Sequence, residues 1–289
     1  MSHLLRPLRP DRIATLYLAW PIVHVLAKSD RTKLPILMYH SIADGDSATS
    51  AYFETRTTPE VFAEHVAWLC DRGDRIVSVR QGAQAVANDH VTAQLVAVSF
   101  DDGYEDFYTT AFPLLCECGG SATVFMVAGC LGKKRDSFGG TSCLTGSELR
   151  ELDRKGVEIG SHTLSHPDLR SLSFSKLEGE VRDSKAIIED TLGHRIVSFA
   201  YPYAFPEQDR RFTAVLRRLL IKHGYEYGVC TSIGRAGRDD DPYFLPRIPV
   251  NSWDDPRLFR AKLEGGYDWL RAPQRIYKGL KQAFRSPSM

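Results

Sequence analysis

The sequence has almost no excess of charge of either sign. Its 289 residues carry 37 Lys and Arg against 36 Asp and Glu, so it lacks the basic surplus that is typical of chains that bind nucleic acids. It also lacks repeats, low-complexity tracts and a G-x-G-x-x-G fingerprint after its first predicted strand, which argues against a dinucleotide site. The composition is that of a folded globular protein. We expect one sizeable α/β domain or two smaller ones, and no nucleic-acid partner.

Cysteine is sparse and irregularly spaced. The six cysteines match neither a zinc cluster nor a compact disulfide framework: Cys70, Cys116, Cys118, Cys130, Cys143 and Cys230. Ordinary reduced and partly buried thiols are the favoured interpretation, and they favour a reducing compartment. We therefore predict a cytoplasmic location, with secretion or a periplasmic location as the alternative.

Long hydrophobic runs are also scarce. The apolar segment Ile13–Ala27 is interrupted by Pro21 and His24 and is too short to span a bilayer comfortably. Three arginines precede or adjoin it: Arg6, Arg9 and Arg12. We interpret residues 1–30 as a basic amphipathic surface helix, with a signal peptide, cleaved or uncleaved, as the alternative.

The C-terminal end is basic and weakly amphipathic. A basic segment such as Arg271–Ser286 usually forms a solvated helix, but it could also contact an anionic membrane.

We divide the chain into an N-terminal segment over 1–30, a catalytic domain over 31–265 and a basic tail over 266–289. Peripheral contact with a membrane through the two termini is therefore an expectation, while the oligomeric state is left open.

Apolar runs alternate with helical patterns along the chain. The predicted strands are Leu34–Tyr39, Arg75–Val79, Leu95–Phe100, Ala122–Val127, Val157–Ser161, Ile196–Ala200, Tyr227–Cys230 and Phe244–Ile248. The predicted helices are Pro59–Arg72, Phe107–Cys118, Ser147–Lys155, Ser173–Leu192 and Asp209–His223, each followed closely by a glycine. This alternation indicates a parallel sheet. We predict an α/β fold, a distorted (β/α) barrel of seven or eight strands with a single catalytic domain; a doubly wound open sheet is the alternative.

Two carboxylates stand side by side where the third predicted strand ends. In "LVAVSFDDGYED", Asp101 and Asp102 follow the apolar strand and precede Gly103. Neighbouring strand residues point to opposite faces, so the two acids can share a site only where the strand gives way to a loop. The carboxyl ends of parallel strands are where α/β folds place their sites. A plain Asp-Asp-Gly turn is the alternative at this point.

Two histidines stand four residues apart after the fifth predicted strand. In "SHTLSHPDL", His162 and His166 can face the same way across a tight turn, and neutral imidazole is a good ligand for zinc and neighbouring metals. A carboxylate from Asp102 would complete a set of two His and one Asp, a ligand number that leaves a position for water. Asp101 would then be free to act as a general base on that water. Packed or surface histidines are the alternative.

Four segments together carry a resemblance to a known family. "SFDDGYED" and "HTLSH" are similar to the first two motifs of the polysaccharide deacetylases, which are the NodB-homology or carbohydrate esterase 4 group. "FAYPYA" and "LPILMYHSI" are similar to the third motif and the opening strand of the branch that reads F-A-Y-P-Y. The likeness extends over roughly residues 34 to 250.

The resemblance implies a NodB-like distorted barrel and the removal of acetyl groups from N-acetylated sugars with a divalent metal. It implies that Asp101 is the base, that Asp102, His162 and His166 are the metal ligands, and that the backbone N–H of Tyr203 stabilises the oxyanion. Zn²⁺ is the first candidate, and Co²⁺, Ni²⁺ or Fe²⁺ would also suit these ligands.

Two positions depart from the commoner family pattern. Ala200 stands where many members carry an arginine that holds the base, and the only late histidine is His223, at a predicted helix end. The F-A-Y-P-Y branch implies that His40 serves as the acid and that Arg247 supports the base. A packed histidine and an ordinary ion pair are the alternatives for these two residues. Ala204 also replaces the glycine of the branch.

We therefore predict a metal-dependent hydrolase that acts on carbon–nitrogen bonds. Its substrate would be an N-acetylated, amino-sugar-containing polysaccharide or oligosaccharide, and its role would lie in exopolysaccharide or cell-envelope biosynthesis. The alternatives are an O-acetyl carbohydrate esterase, since the same site can attack esters, and a non-catalytic sugar-binding or assembly protein. The sugar, linkage and chain length depend on loop shapes that the sequence does not specify.

Overall fold

In the computed structural model, the described residues are 9–26, 32–45, 54–90, 94–131 and 136–283. Within them, eight strands form one parallel sheet. The strands are β1 Ile36–Tyr39, β2 Arg75–Val77, β3 Leu95–Phe100, β4 Thr123–Met126, β5 Glu158–Ser161, β6 Ser198–Ala200, β7 Tyr227–Ile233 and β8 Leu245–Pro249. The sheet runs in the order β1-β8-β7-β6-β5-β4-β3-β2.

The sheet closes on itself because β1 pairs with β3 as well as with β8. Leu37 lies opposite Val98 on one side and opposite Ile248 on the other. Strand β2 pairs only with the first half of β3, with Ile76 opposite Val96. Seven strands thus close the barrel and the eighth lies beside it, which confirms the predicted distorted barrel and excludes the open sheet.

Helices surround this barrel. They are α1 Pro10–Ala14, α2 Trp20–Leu26, α3 Pro59–Asp71, α4 Val79–Ala87, α5 Phe112–Glu117, α6 Gly146–Arg154, α7 Phe174–Leu192, α8 Arg210–Lys222, α9 Pro256–Leu263 and α10 Arg271–Ala283. Side chains cap several helices, as at Ser78 and Thr145, where a reciprocal capping box satisfies the first backbone N–H groups. The predicted helix over 107–118 begins as a π-helical segment, Phe107–Ala111, before α5. Because Pro113 has no N–H, it cannot supply a regular helical hydrogen bond there.

Alternate residues of the strands pack into two different clusters. All six residues of β3 are buried, as expected for a parallel strand covered on both faces. Val96, Val98 and Phe100 belong to the large cluster shared with the outer helices. Leu95 and Ala97 belong to a smaller cluster with residues of other strands and of α4, which fills the barrel. A packed interior leaves the carboxyl ends of the strands as the place for polar chemistry.

One disulfide corrects the prediction of six reduced thiols. Cys70 at the end of α3 is bonded to Cys118 just after α5, with 6.0 Å between their Cα atoms. The two residues are 48 positions apart, and they meet because α3 and α5 are neighbours on the barrel. Spacing along the chain carries no trace of such a pairing. The cysteines therefore no longer favour a reducing compartment, and the cellular location stays a prediction.

The N-terminal helical segment lies against α9. A π-helical segment, Thr15–Ala19, joins α1 to α2. The inner face is anchored by polar contacts: Arg12 pairs with Asp255 at 2.7 Å, and the Trp20 indole N–H donates to Glu264 at 2.8 Å. The outer face exposes a row of apolar side chains that includes Leu18, Ile22 and Val25. None of the helices among the described residues is long and apolar enough to cross a membrane.

Candidate active site

The predicted functional residues gather at the carboxyl ends of the barrel strands. Asp101 and Asp102 follow β3, His40 follows β1, and His162 follows β5. Arg247 lies within β8, His166 lies four residues beyond His162, and Tyr203 follows β6. Since the strands are parallel, their carboxyl ends share one rim. The structure brings all seven predicted residues to this rim.

The break in the chain after β3 explains how two adjacent acids share one site. Asp102 has φ +72° and Gly103 has φ +69°, both in the left-handed region. The strand therefore turns sharply at Asp102, which aims both carboxylates into the same space. A Cβ atom at Gly103 would collide with the Met126 side chain, so glycine is required by space as well as by backbone conformation.

Asp102, His162 and His166 form a compact set of metal-ligating atoms. The Nε2 atoms of His162 and His166 lie 3.7 and 3.6 Å from Asp102 Oδ1, and one donor atom from each of the three residues lies within 4.8 Å of the others. Among the described residues, the buried Asp102 Oδ1 has no hydrogen-bond partner. A buried carboxylate oxygen without a partner is costly, and a cation would satisfy it.

The two imidazoles are prepared to act as ligands. His162 Nδ1 lies 2.9 Å from the carbonyl oxygen of Ala200, so this nitrogen donates its proton there and leaves the Nε2 lone pair facing Asp102. Burial, together with the neighbouring His162, lowers the pKa of His166 to about 4, so His166 is neutral near pH 7. Two neutral imidazoles and one carboxylate suit a divalent transition metal.

Asp101 forms a bidentate ion pair with Arg247 at the rim. The guanidinium donates two parallel hydrogen bonds to the carboxylate, at 2.6 and 2.7 Å, and both side chains are almost fully buried. Burial alone would raise the pKa of Asp101, but Arg247 and then His162 outweigh it and hold that pKa well below its usual range. Asp101 is therefore a carboxylate held in one orientation.

Strand register places His40 beside Asp101. Tyr39 lies opposite Phe100 in the β1–β3 pairing, so the next residue of each strand enters the rim at the same level. His40 Nε2 lies 3.9 Å from Asp101 Oδ2, and His162 Nε2 lies at the same distance from that oxygen. The His40 side chain is 19% exposed, which leaves it accessible to a bound substrate.

Tyr203 lies beside His166. Its backbone is in the left-handed region with φ +56°, and its ring meets that of His166 with 4.5 Å between centroids. The ring is 57% exposed and forms part of the mouth of the site. His223, by contrast, ends α8 and lies 3.1 Å from Glu178 of α7, so it belongs to the helical layer.

Comparison with known proteins agrees with this geometry. The family model described as polysaccharide deacetylase matches residues 88–228. YxkH of Bacillus subtilis, a protein assigned to the polysaccharide deacetylases, is 31% identical over 233 residues, which cover 80% of this chain and 76% of that protein. The chain belongs to the polysaccharide deacetylase family. The predicted resemblance is thereby confirmed, and with it the assignment as a deacetylase, a hydrolase of amide bonds.

One further relative and two solved structures are informative. A poly-beta-1,6-N-acetyl-D-glucosamine N-deacetylase of Staphylococcus epidermidis is 22% identical over 231 residues, which cover 77% of this chain and 76% of that protein. The Streptococcus pyogenes deacetylase PplD, solved in complex with acetate, superposes with a TM-score of 0.70 at 25% identity, covering 80% of this chain and 98% of that one. The structure of IcaB from Ammonifex degensii, with a TM-score of 0.64 at 22% identity and coverage of 80% and 97%, supports the fold.

Sequence reasoning missed part of this deacetylase site. A short hairpin, Ser137–Phe138 with Thr141–Ser142, brings Phe138 over the ligand set. Its ring lies 5.0 Å from that of His166 and stacks with that of Tyr104 at 6.4 Å. The pair Gly139-Gly140 between two short strands is a hairpin signal and could have indicated that this hairpin exists. Ser99, which Arg247 also contacts at 3.2 Å, has no comparable signal in the sequence.

Proposed function

We propose that the protein removes N-acetyl groups from an amino-sugar-containing polysaccharide or oligosaccharide, in exopolysaccharide or cell-envelope biosynthesis, and that it needs a divalent metal to do so. One observation carries the proposal: an unpartnered buried carboxylate oxygen faces two imidazoles, and the adjacent residue is a second carboxylate fixed by an arginine. The names of the staphylococcal relatives support the choice of an N-acetylated glucosamine polymer as substrate.

Asp102, His162 and His166 would hold the metal. A divalent ion bound by such ligands supplies Lewis acidity and lowers the pKa of a water molecule. Zinc is the first candidate, and cobalt, nickel and iron accept the same ligands.

The remaining residues would handle protons and charge. Asp101 is positioned to take a proton from the attacking water, because Arg247 keeps it ionised and fixes its orientation. His40, whose Nε2 lies 3.9 Å from Asp101, would give a proton to the leaving amine. The backbone N–H of Tyr203 would donate a hydrogen bond to the carbonyl oxygen of the acetyl group as negative charge develops there. Water is consumed, the C–N bond breaks, and acetate and a free amine are the products.

Removal and replacement of the metal test this function. Metal-free protein should release no acetate from N-acetylglucosamine oligomers, and Zn²⁺ or Co²⁺ should restore release, because the bound ion would supply the Lewis acidity that activates the water. His162→Ala should lose bound metal by elemental analysis. His194→Ala is the matched control, since His194 is exposed and bound to Asp153, and it should keep the metal.

Four outcomes would contradict the proposal. Full turnover by the metal-free protein, or full metal content in His162→Ala, would remove the proposed site. Acetate release from acetylated xylan but from no N-acetylated oligomer would make the protein an esterase. No release from either substrate with metal supplied would favour a sugar-binding protein.

We further propose that the helices at the two ends contact an anionic membrane peripherally. Leu18, Ile22 and Val25 form an outward stripe on the N-terminal helical segment and are 64%, 55% and 81% exposed. Ile276 is 60% exposed on α10, beside the exposed Arg275. Exposed apolar side chains, with Arg275 as a basic neighbour on α10, suit an interface of anionic lipid headgroups.

Co-sedimentation with vesicles tests this contact. The protein should sediment with vesicles that contain phosphatidylglycerol, and Leu18→Glu/Ile22→Glu should weaken sedimentation by at least about tenfold, since buried apolar area contributes much of such binding. Ile221→Glu, an exposed apolar position on α8, is the control and should sediment normally. Wild-type protein that stays in solution would refute the contact.

A further inference from the structure

Strand β7 carries an irregularity at the level of the active site. Its pairing with β8 shifts register between Val229 and Ile233, as in a β-bulge. Bulges at barrel rims re-aim backbone and side-chain groups. Cys230 and Thr231 lie inside this irregular stretch, at the level where the site is built.

The backbone of the bulge supports the base. The carbonyl oxygen of Cys230 accepts a hydrogen bond from Arg247 Nε at 3.2 Å. Arg247 in turn holds Asp101 with its two other nitrogens. One side of the bulge therefore fixes the guanidinium that fixes the base.

Thr231, the next residue, holds the loop that follows β6. Its hydroxyl donates to the carbonyl oxygen of Tyr203 at 2.8 Å and accepts from the backbone N–H of Phe205 at 2.9 Å. One side chain thus bridges both ends of a three-residue turn. Tyr203 adopts a left-handed conformation, φ +56°, that non-glycine residues disfavour, so the turn needs outside support to persist.

Helix α10 holds Thr231 from the other side. The carbonyl oxygen of Thr231 accepts from Gln274 Nε2 at 3.0 Å and from Lys278 Nζ at 3.4 Å. Gln274 Oε1 also accepts from the backbone N–H of Ile233 at 3.1 Å. The basic tail that the sequence indicated is therefore docked on β7, at the same residue that contacts Tyr203.

We propose that Thr231 is a positioning residue for catalysis, which holds the Tyr203 loop so that the Tyr203 N–H meets the developing oxyanion, and that α10 braces Thr231. The inference rests on the proposed deacetylation. Removal of the hydroxyl breaks both hydrogen bonds to the loop at once. A shift of about 1 Å in a catalytic group can lower the rate by about 10²-fold.

Kinetics of threonine variants test the proposal. Thr231→Val should lower kcat by about 10- to 100-fold with KM and metal content unchanged. The loss should be equal on an N-acetylated oligomer and on an activated aryl acetate, because both reactions pass through an oxyanion. Thr231→Ser keeps the hydroxyl and with it both hydrogen bonds to the loop. Its kcat should therefore stay within about threefold of wild type, which corresponds to less free energy than a typical hydrogen bond contributes. Thr213→Val is the control, since Thr213 bonds within its own helix, and it should behave as wild type.

Hydrogen–deuterium exchange gives a readout that does not depend on activity. Amides of residues 201–208 should exchange faster in Thr231→Val and in Gln274→Leu than in wild type, and at the wild-type rate in Thr231→Ser. Unchanged exchange in Thr231→Val, or wild-type kcat in that variant, would overturn the proposal. A wild-type protein that releases no acetate from any substrate would refute the proposed function instead, while the exchange data would still decide whether Thr231 holds the loop.

Discussion

Asp101→Asn and Asp102→Asn should differ in bound metal although both lose turnover. Asp102→Asn replaces the carboxylate oxygen that faces both imidazoles with an uncharged amide, so metal content should fall sharply and activity with it. Asp101→Asn leaves the three ligands intact and removes the proposed base, so metal content should stay near wild type while kcat falls by about 10²–10⁴-fold. Elemental analysis and acetate release on the same preparations make the comparison.

Asp101→Asn also has a cost in stability that must be separated from its cost in rate. Arg247 is fully buried and pairs with Asp101 through two hydrogen bonds. Loss of the negative partner leaves a buried guanidinium without compensation, which costs about 3–5 kcal/mol. Thermal unfolding should therefore show a lower Tm for Asp101→Asn, and activity should be measured well below it.

Asp106→Asn is the matched control in the same loop. Asp106 belongs to the same "SFDDGYED" segment, and one of its oxygens accepts from the Ser41 hydroxyl at 2.6 Å. Asp106 belongs neither to the set of metal-ligating residues nor to the Asp101–Arg247 pair, and the amide oxygen of Asn can still accept from the Ser41 hydroxyl. This variant should keep both metal and turnover. Equal metal loss in Asp101→Asn and Asp102→Asn would show that the proposed division of labour between the neighbours is wrong.

The fold was predictable because its strands and helices have strong local signals. The apolar run Leu95–Phe100 is buried throughout as β3, and the glycine that follows 174–192 ends α7 in the left-handed region at Gly193. Parallel strands separated by helices then leave few topologies. The hydrophobic periodicity of the sequence does not indicate whether the sheet closes into a barrel. That feature depends on β1 pairing with β3, a contact between segments far apart along the chain.

The site residues that stand in short sequence motifs at strand ends were predictable. The residues that reach the site through the register of strand pairing were not. Asp102, His162 and His166 stand in short motifs that keep ligand types close in sequence. His40 reaches Asp101 only through the pairing of Tyr39 with Phe100, so the family resemblance, and not spacing, suggested it. Thr231 gave no signal, because a threonine within a strand is ordinary and a bulge does not show in an apolar pattern.

The assignment of His40 as the acid predicts a loss that depends on the leaving group. An amide nitrogen leaves poorly as an anion and must be protonated, and imidazole can give up a proton near neutral pH. His40→Ala should therefore bind metal normally and lose about 10²–10⁴-fold in turnover on N-acetylated oligomers. Hydrolysis of an activated aryl acetate should suffer far less, because a phenolate needs no proton to leave.

His223→Ala is the matched control for this experiment, because His223 is the only histidine in the sequence after Tyr203 and lies against Glu178 between helices. It should leave both rates unchanged. Equal losses of turnover on the amide and the ester in His40→Ala would mean that His40 does not protonate the amine. His40 would then orient the attacking water or Asp101, whose Oδ2 lies 3.9 Å from His40 Nε2. That pattern of equal losses is the one expected for Thr231→Val, so the ratio of the two rates distinguishes a lost proton donor from a displaced oxyanion donor.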